Sequence, residues 1–429
     1  MRIDRLEIEN FKKFTRRTFT LHPQFTLLVG DNGTGKTSVL DALAVALGLW
    51  HKVAPGSGWR NILTEEIRLD PFRAGDRVLF KPQLPSKISV RGAIGSKHGL
   101  SWTRMIREGG ARTTNAEARE AEQAISETVK AANAQTAPLP VLAYYGAGRA
   151  WLPTNKRPTG PTTQRKPQQF DAYRNCLDTR IRDRDLNEWF LFEAAAANGH
   201  GEGRPGFRAV KQAVLNCIPE ADGLRYDSDL KEIVLSIRGF EQPYYNLSAG
   251  QRMMLAMVAD IAIKAVTLNS YLLGAGQPGE KDPMQVLKLS PGVVLIDELD
   301  VHLHPKWQRR VATDLKTTFP QIQFICTSHS PQVIGEVLPD EIRLLDAGER
   351  ETPAQSFGMD SNWIVEVLMG GAERNPKIKT RLDHIFALID HKDLPAAEKE
   401  IGKLQGETGN SDRLQRATSL IERIKLLGR

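Results

Sequence analysis

The sequence predicts an α/β protein built on a parallel sheet and followed by a small helical module. Three observations predict it. Residues 25–29 are an apolar run that ends at Gly30 and passes through a glycine-rich turn into an apolar helical stretch. Residues 293–296 and 322–327 are two more apolar runs, separated by a helical pattern at about 306–318, and strand–helix–strand spacing of this kind implies parallel pairing. Beyond about Pro353 the pattern is helical only, with one stripe at Ile378, Leu382, Ile385 and Ile389 and another at Leu414, Ala417, Ile421 and Ile424.

The remaining elements follow in order. Ile3, Leu6 and Ile8 alternate with charges, as in an edge strand. Residues 50–110 mix turns with strand-like pieces at 87–93 and 100–106, and 113–137 is Ala/Glu-rich and helical until Pro138 and Pro140 stop it. The run 141–146 is the next strand. Helices are expected at 187–197 and at 207–218, where Phe207, Val210, Val214 and Ile218 share a face. A strand at 232–237, a helix at 248–268 and a Gly/Pro-containing linker at 274–283 complete the reading. The expected domains are a body over 1–350, with a basic and helical insertion at about 110–235, and a helical module over 353–429.

With 41% apolar and 25% charged residues the composition is that of a globular protein. No apolar run approaches the ~20 residues of a membrane span, and MRIDRLEIENFKKF lacks the apolar core of a signal peptide. Cys176, Cys217 and Cys326 form no CxxC pair, which excludes a disulfide framework or a zinc hook within the sequence. A cytoplasmic protein without membrane contact is expected. The net charge of +7 leans mildly towards a polyanionic partner. From Arg149 to Arg184 there are nine Lys/Arg against three Asp, among several prolines. That segment, including Arg180, Arg182 and Arg184, reads either as a solvated loop or as a nucleic-acid contact.

Four motifs carry chemistry. Gly30–Asp31–Asn32–Gly33–Thr34–Gly35–Lys36–Thr37, with Ser38 following, is a complete P-loop between a strand and a helix. Its backbone N–H groups turn towards a β-phosphate, Lys36 reaches the β and γ oxygens, and the Thr37 hydroxyl suits Mg²⁺. Four apolar residues deliver Asp297 and Glu298 at a strand end. Asp297 completes the Mg²⁺ shell with Thr37, and Glu298 is placed to polarise an attacking water. Leu247–Ser248–Ala249–Gly250–Gln251 opens a long helix. Ser248 is a natural cap and Gly250 permits close backbone approach. Because Lys36 already serves the γ-phosphate of its own chain, this start suits one held by a second copy. Finally, His329 in Thr327–Ser328–His329–Ser330–Pro331 follows the third apolar run, at the sheet edge where ligands bind. His302 and His304 lack a third ligand at metal spacing; they are expected in the loop after the carboxylates, with Pro305 opening the next helix.

In this order the motifs resemble the ABC ATPases of the SMC, RecF and OLD kind. The block IDELDVHLHPKWQRRVATDL…FPQIQFICTSHSP is similar above all to Septu-type (PtuA-like) defence ATPases, some of which accompany retrons. The resemblance spans roughly 1–48 and 240–340. It implies an ABC-type P-loop NTPase head, a parallel sheet core with an antiparallel β lobe and a helical insertion. Such a head binds ATP and Mg²⁺, hydrolyses ATP, and forms a homodimer in which Ser248 and Gly250 face Lys36 of the other copy. It also implies that Lys12 and Lys13 of IENFKKF approach the nucleotide. By the same resemblance, the protein controls a separately encoded effector, an HNH-type nuclease, in anti-phage defence, with DNA or retron-type RNA/DNA as a partner. The interval of about 210 residues between P-loop and signature is too short for long coiled coils. Ala249 stands where the family has Gly, and Tyr144–Tyr145–Gly146–Ala147–Gly148–Arg149 lies in the Q-loop region without a glutamine. A RecF-like repair ATPase and an ATP-locked scaffold with slow hydrolysis are the alternatives.

Overall fold

The computed structural model describes residues 1–52, 60–150, 168–196, 204–273, 282–345, 352–371 and 375–427. The chain opens with β1 (Arg2–Phe11) and β2 (Phe14–Thr20), an antiparallel pair. β3 (Phe25–Val29) is wholly buried and runs through the P-loop into α1 (Lys36–Leu47), which is buried on nearly every side. The C-terminal end of α1 is satisfied from outside: Trp102 Nε1 donates to the Ala46 carbonyl (3.0 Å) and Arg104 to that of Val45 (3.2 Å). Both carbonyls belong to the last turn, where they also accept from the N–H groups of Gly48 (3.1 Å) and Leu49 (3.3 Å).

Next come β4 (Leu69–Ala74) and β5 (Arg77–Pro82), a two-stranded hairpin, then β6 (Ser86–Ile94), β7 (Lys97–Ile106) and β8 (Thr114–Ala116). One antiparallel sheet has the order β2-β1-β6-β7-β8. β1 is therefore paired on both sides rather than an edge strand, and Ile3, Leu6, Ile8 and Phe11 are fully buried. The stretch read as one helix from 113 begins as β8, and the helix itself is α2 (Arg119–Asn133).

β9 (Val141–Tyr145) is followed by α3 (Asp183–Ala196) and α4 (Pro205–Cys217). On α4, Val210, Val214 and Ile218 at its end are buried as the stripe requires, while Phe207 is half-buried. A three-stranded sheet, β10 (Ala221–Asp227), β11 (Glu232–Ile237) and β12 (Phe240–Pro243), leads into α5 (Ala249–Leu268). After α6 (Gln285–Leu289) come β13 (Gly292–Ile296), α7 (Pro305–Thr318), β14 (Ile322–Thr327), α8 (Pro331–Ile334) and β15 (Ile342–Leu344). Most of the expected linker at 274–283, and residues 151–167 of the basic segment, lie outside the described residues.

The central sheet is parallel, in the order β15-β3-β14-β13-β9. Gln323 docks the N-terminal sheet onto it. Its Oε1 accepts from the Ile3 N–H (2.8 Å), and its Nε2 donates to the Ile3 carbonyl (2.7 Å) and to that of His22 (3.0 Å). The pairing of β1 with β6 slips between Ile3 and Arg5. A bulge of this kind leaves backbone groups outside the ladder, and a buried glutamine satisfies them.

The chain divides into two compact units, Met1–Met359 and Asp360–Arg429. The second holds α9 (Ser361–Trp363), α10 (Pro376–Asp390), α11 (Leu394–Thr408) and α12 (Asp412–Leu427). Leu382, Ile385 and Ile389 of α10 pack with Ala397, Ile401 and Leu404 of α11 and with Leu414, Ala417 and Ile421 of α12. Periodicity marked the first and third of these helices and passed over α11.

Candidate functional site

The P-loop turns on glycines that the backbone demands. Gly35 has φ 101°, and a Cβ there would collide with the Phe14 ring and the Lys13 side chain. The Lys36 ammonium is folded into the loop, donating to the carbonyls of Gly30 (2.7 Å) and Asp31 (2.8 Å). The Thr34 hydroxyl is buried without a hydrogen-bond partner. Lys13 Nζ closes the outside of the loop at the Gly33 carbonyl (2.6 Å). Lys12, read with Lys13 as approaching the nucleotide, borders the cleft while being held by an ion cluster. It pairs with Asp41 of α1 and stands 3.6 Å from Glu66, which Arg60 grips with both guanidinium arms (2.5 and 2.9 Å). Tyr144 of β9 donates to Asp41 (3.1 Å), and burial together with that carboxylate pushes its phenol pKa far up.

Opposite the P-loop stand the two carboxylates. Asp297 accepts from Thr37 Oγ1 at 3.0 and 3.2 Å across an interval of 260 residues. Thr327, which the sequence reading passed over, joins the pair. Its hydroxyl donates to Asp297 Oδ1 (2.7 Å) and accepts from the Glu298 N–H (2.7 Å). Glu298 has φ 49°, a left-handed conformation costing a non-glycine residue on the order of 1–3 kcal/mol. The bond from its amide to Thr327 and that from Leu299 N–H to the Thr327 carbonyl (2.8 Å) hold it there. A second stitch joins the same loops. Asp300 accepts from the Ser328 hydroxyl (2.5 Å) and the His329 N–H (3.3 Å).

Lys12, Lys13, Asn32, Gly33, Gly35, Lys36, Thr37, Ser38, Asp297, Glu298, Thr327 and His329 all line one cleft of about 380 Å³. Strand order explains the convergence. β3 delivers the P-loop, and its neighbour β14, then β13, deliver His329 and the carboxylates at the same sheet edge. Such carboxyl-end edges are where open α/β sheets bind ligands. A set of glycine-loop amides, a lysine, a Thr/Asp oxygen pair and an orphan buried hydroxyl fits a magnesium polyphosphate.

Ser248, Gly250 and Gln251 do not line this cleft. Ser248 is an exposed cap in a capping box: its hydroxyl accepts from Gln251 N–H (3.3 Å), and its own N–H donates to Gln251 Oε1 (3.0 Å). Gly250 is buried against the loop after the carboxylates, where a Cβ would collide with the His302 carbonyl. The close approach its glycine permits is thus to its own chain. His302 has φ 60°, and His304 caps α7 by accepting from Lys306 N–H at 3.2 Å. In the segment Tyr144–Arg149, Tyr145 donates its hydroxyl to Asp260 of α5 (2.5 Å).

The described part of the basic segment is largely neutralised. Arg174 pairs with Asp171 (2.8 Å), Arg182 with Asp178 (3.6 Å) and Arg184 with Glu188 (2.8 Å). Among the described residues no helix is long and apolar enough to cross a membrane.

Comparison with known proteins gives a family and several relatives. A family model described as RecF/RecN/SMC N terminal domain matches residues 2–344. The chain is 23% identical over 405 residues to "Retron Vc95 probable ATPase" of Vibrio cholerae, covering 81% of this chain and 74% of the relative. It is 33% identical over 192 residues to "Retron Ec83 probable ATPase" of Escherichia coli, covering 44% of this chain and 32% of that one. Over 201 residues it is 25% identical to "Septu protein PtuA" of Bacillus mycoides, covering 45% and 26%. The chain thus spans about a third of the Escherichia relative and about three quarters of the Vibrio one.

Proposed function

We propose, from the premise that the chain belongs to the RecF/RecN/SMC N-terminal domain family, that it binds and hydrolyses ATP between two copies and thereby controls a separately encoded effector. The chain is an SMC/RecF-like ABC-type ATPase related to retron and Septu defence ATPases. One observation carries the catalytic part: Lys36, Thr37, Asp297, Glu298 and His329 share a single cleft, while Ser248 and Gly250 stand outside it. A lone head therefore has the hydrolytic groups but no signature residues at the phosphate. A second copy supplies them.

In this reading the P-loop amides and Thr34 hold the β-phosphate, and Lys36 leaves its own loop carbonyls to neutralise the β and γ oxygens. Thr37 and Asp297 would hold Mg²⁺, which supplies charge neutralisation on the phosphates when bound. Glu298, aimed by its left-handed backbone, takes the proton of the attacking water. His329 donates towards the γ-phosphate, and its amide bond to Asp300 ties that contact to the loop packed on Gly250. Loss of phosphate is thereby felt at the signature helix and releases the partner.

We infer a role in anti-phage defence in the cytoplasm, with an HNH-type nuclease as effector and DNA or a retron-type RNA/DNA as the partner nucleic acid; similarity to retron and Septu proteins supports the defence part of this reading. Glu298→Gln should trap an ATP-bound dimer in light scattering, while Lys36→Ala should stay monomeric and bind no nucleotide. A Glu298→Gln protein that remains monomeric with ATP would sink the sandwich. Affinity capture of the trapped form tests the purpose: a co-purifying nuclease supports defence, and replication or recombination proteins argue against it.

A further inference from the structure

Thr327 ends β14 at the floor of the nucleotide cleft and is fully buried there. Its hydroxyl carries one hydrogen, and the bonds around it fix where that hydrogen goes. The Glu298 amide can only donate, so at 2.7 Å the hydroxyl accepts. The hydrogen is left for Asp297 Oδ1, also at 2.7 Å. A bond to an ionised carboxylate is among the stronger hydrogen bonds of a protein. Branching at Cβ restricts the rotamers of Thr327, so neither bond swings away easily.

Thr37 meets the same carboxylate on different terms. Its hydroxyl stands 3.0 Å from Oδ2 and 3.2 Å from Oδ1 of Asp297, and one hydrogen cannot serve both fully. Thr37 is also exposed in the cleft, where a ligand competes for its oxygen. Thr327 has no such competitor, because it exposes no surface and both its hydroxyl partners are protein groups. It therefore orients the Asp297 carboxylate whether or not a ligand is bound.

The same hydroxyl bears on Glu298. With φ at 49°, that residue sits in a backbone region that non-glycine residues avoid. Asp297 beside it is only 5% exposed. Removing the hydroxyl takes a partner from the Glu298 N–H at this buried strand end. The cheapest relief is a return of Glu298 to ordinary backbone angles, which carries its carboxylate out of line.

We infer that Thr327 is a positioning residue for the hydrolytic pair. Its one hydroxyl orients Asp297 for the cation and holds Glu298 for the attacking water. The inference rests on the ATPase reading above and deepens it with a residue that no ligand reaches.

A threonine that merely filled the core would also be buried and bonded, so the test has to part the two roles. It compares the full chain as wild type, Thr327→Val and Thr327→Ser. Valine keeps the shape and loses the hydroxyl; serine keeps the hydroxyl and loses a methyl. A fluorescent ATP analogue is titrated in EDTA and then against rising Mg²⁺, and turnover of ATP is measured separately. Thr327→Val should bind the analogue in EDTA like the wild type. The Mg²⁺ concentration that tightens binding half-maximally should rise roughly tenfold, and kcat should fall by roughly tenfold to a hundredfold with KM little changed. Thr327→Ser should recover both. Thermal melts keep every assay below the unfolding of each variant. Should Thr327→Val not fold, Thr327→Cys replaces it and is read the same way, since a thiol is a weak donor. The inference is overturned if loss of the hydroxyl lowers only the melting temperature, leaving Mg²⁺ dependence and kcat unchanged. It is equally overturned if Thr327→Ser is as impaired as Thr327→Val, which would mark a packing role. A wild type that binds the analogue without turning ATP over would sink the ATPase reading alone, and the Mg²⁺ titration would still judge Thr327.

Discussion

His51 shows how burial sets the behaviour of one side chain. It follows α1 in a short turn, with Nε2 3.8 Å from Cys176 Sγ and Nδ1 buried without a partner. Burial, and then the Arg104 charge, lower its pKa from 6.5 to about 4. Below pH 6.5 the unfolded chain takes up a proton that the folded chain refuses. The stability from a neutral His51 is therefore complete above pH 6.5 and lost as pH falls towards 4, by about 3 kcal/mol at most. His51→Asn should flatten the fall of melting temperature with acid across that window, and an unchanged slope would count against it. At this scale the sequence was legible wherever chemistry depends on spacing: Lys36, Thr37, Asp297, Glu298 and His329 were named from ordered motifs, and all five line one cleft. The role of Thr327 and the ion cluster around Lys12 left no sign in the sequence, for one reason. The partners of these two residues, Asp297, Asp41 and Glu66, come from distant segments and leave no local pattern. The arginines are a different case. Arg182–Asp178 and Arg184–Glu188 are i,i+4 pairs, which spacing alone announces; counting the bases of the segment hid them.

Among the elements, α5 is set at its first turn. Alanine is the better helix former by about 1 kcal/mol, yet Gly250→Ala would push its Cβ into the His302 carbonyl. The loop carrying Asp300 would have to move, and with it the amide of His329. Gly250→Ala should therefore bind ATP normally and hydrolyse it several-fold more slowly; an unchanged turnover would detach that loop from the chemistry. The helix itself was readable from Ser248 onwards because a capping serine opens a long, mostly apolar run. The β4–β5 hairpin was not. Exposed apolar residues on both faces give neither alternation towards a core nor a helical stripe, so the usual signals are silent. β8 was absorbed into a helix because its three residues are too few to compete with the Ala/Glu-rich run behind them.

For the whole molecule, net charge overstates what the surface offers. With two of Arg180, Arg182 and Arg184 already ion-paired within the chain, neutralising all three should change the salt dependence of any DNA binding by less than one released counterion per arginine. A full loss of slope would restore the basic segment as a nucleic-acid contact. The parallel core was predicted from three of its five strands. Its order was not, because β3 takes its neighbours β14 and β15 from some 300 residues downstream.

That order has a consequence on the ribosome. β3 emerges early, but both strands that flank it are made near residues 322–344. At ~5–20 residues per second, the finished strand and its glycine loop wait roughly 15–60 s for partners. Throughout that interval five consecutive core residues, Phe25–Val29, have no sheet to enter. Nascent chains of this protein should accordingly depend on holding factors until β15 is released, and ATP should bind only to chains longer than that point.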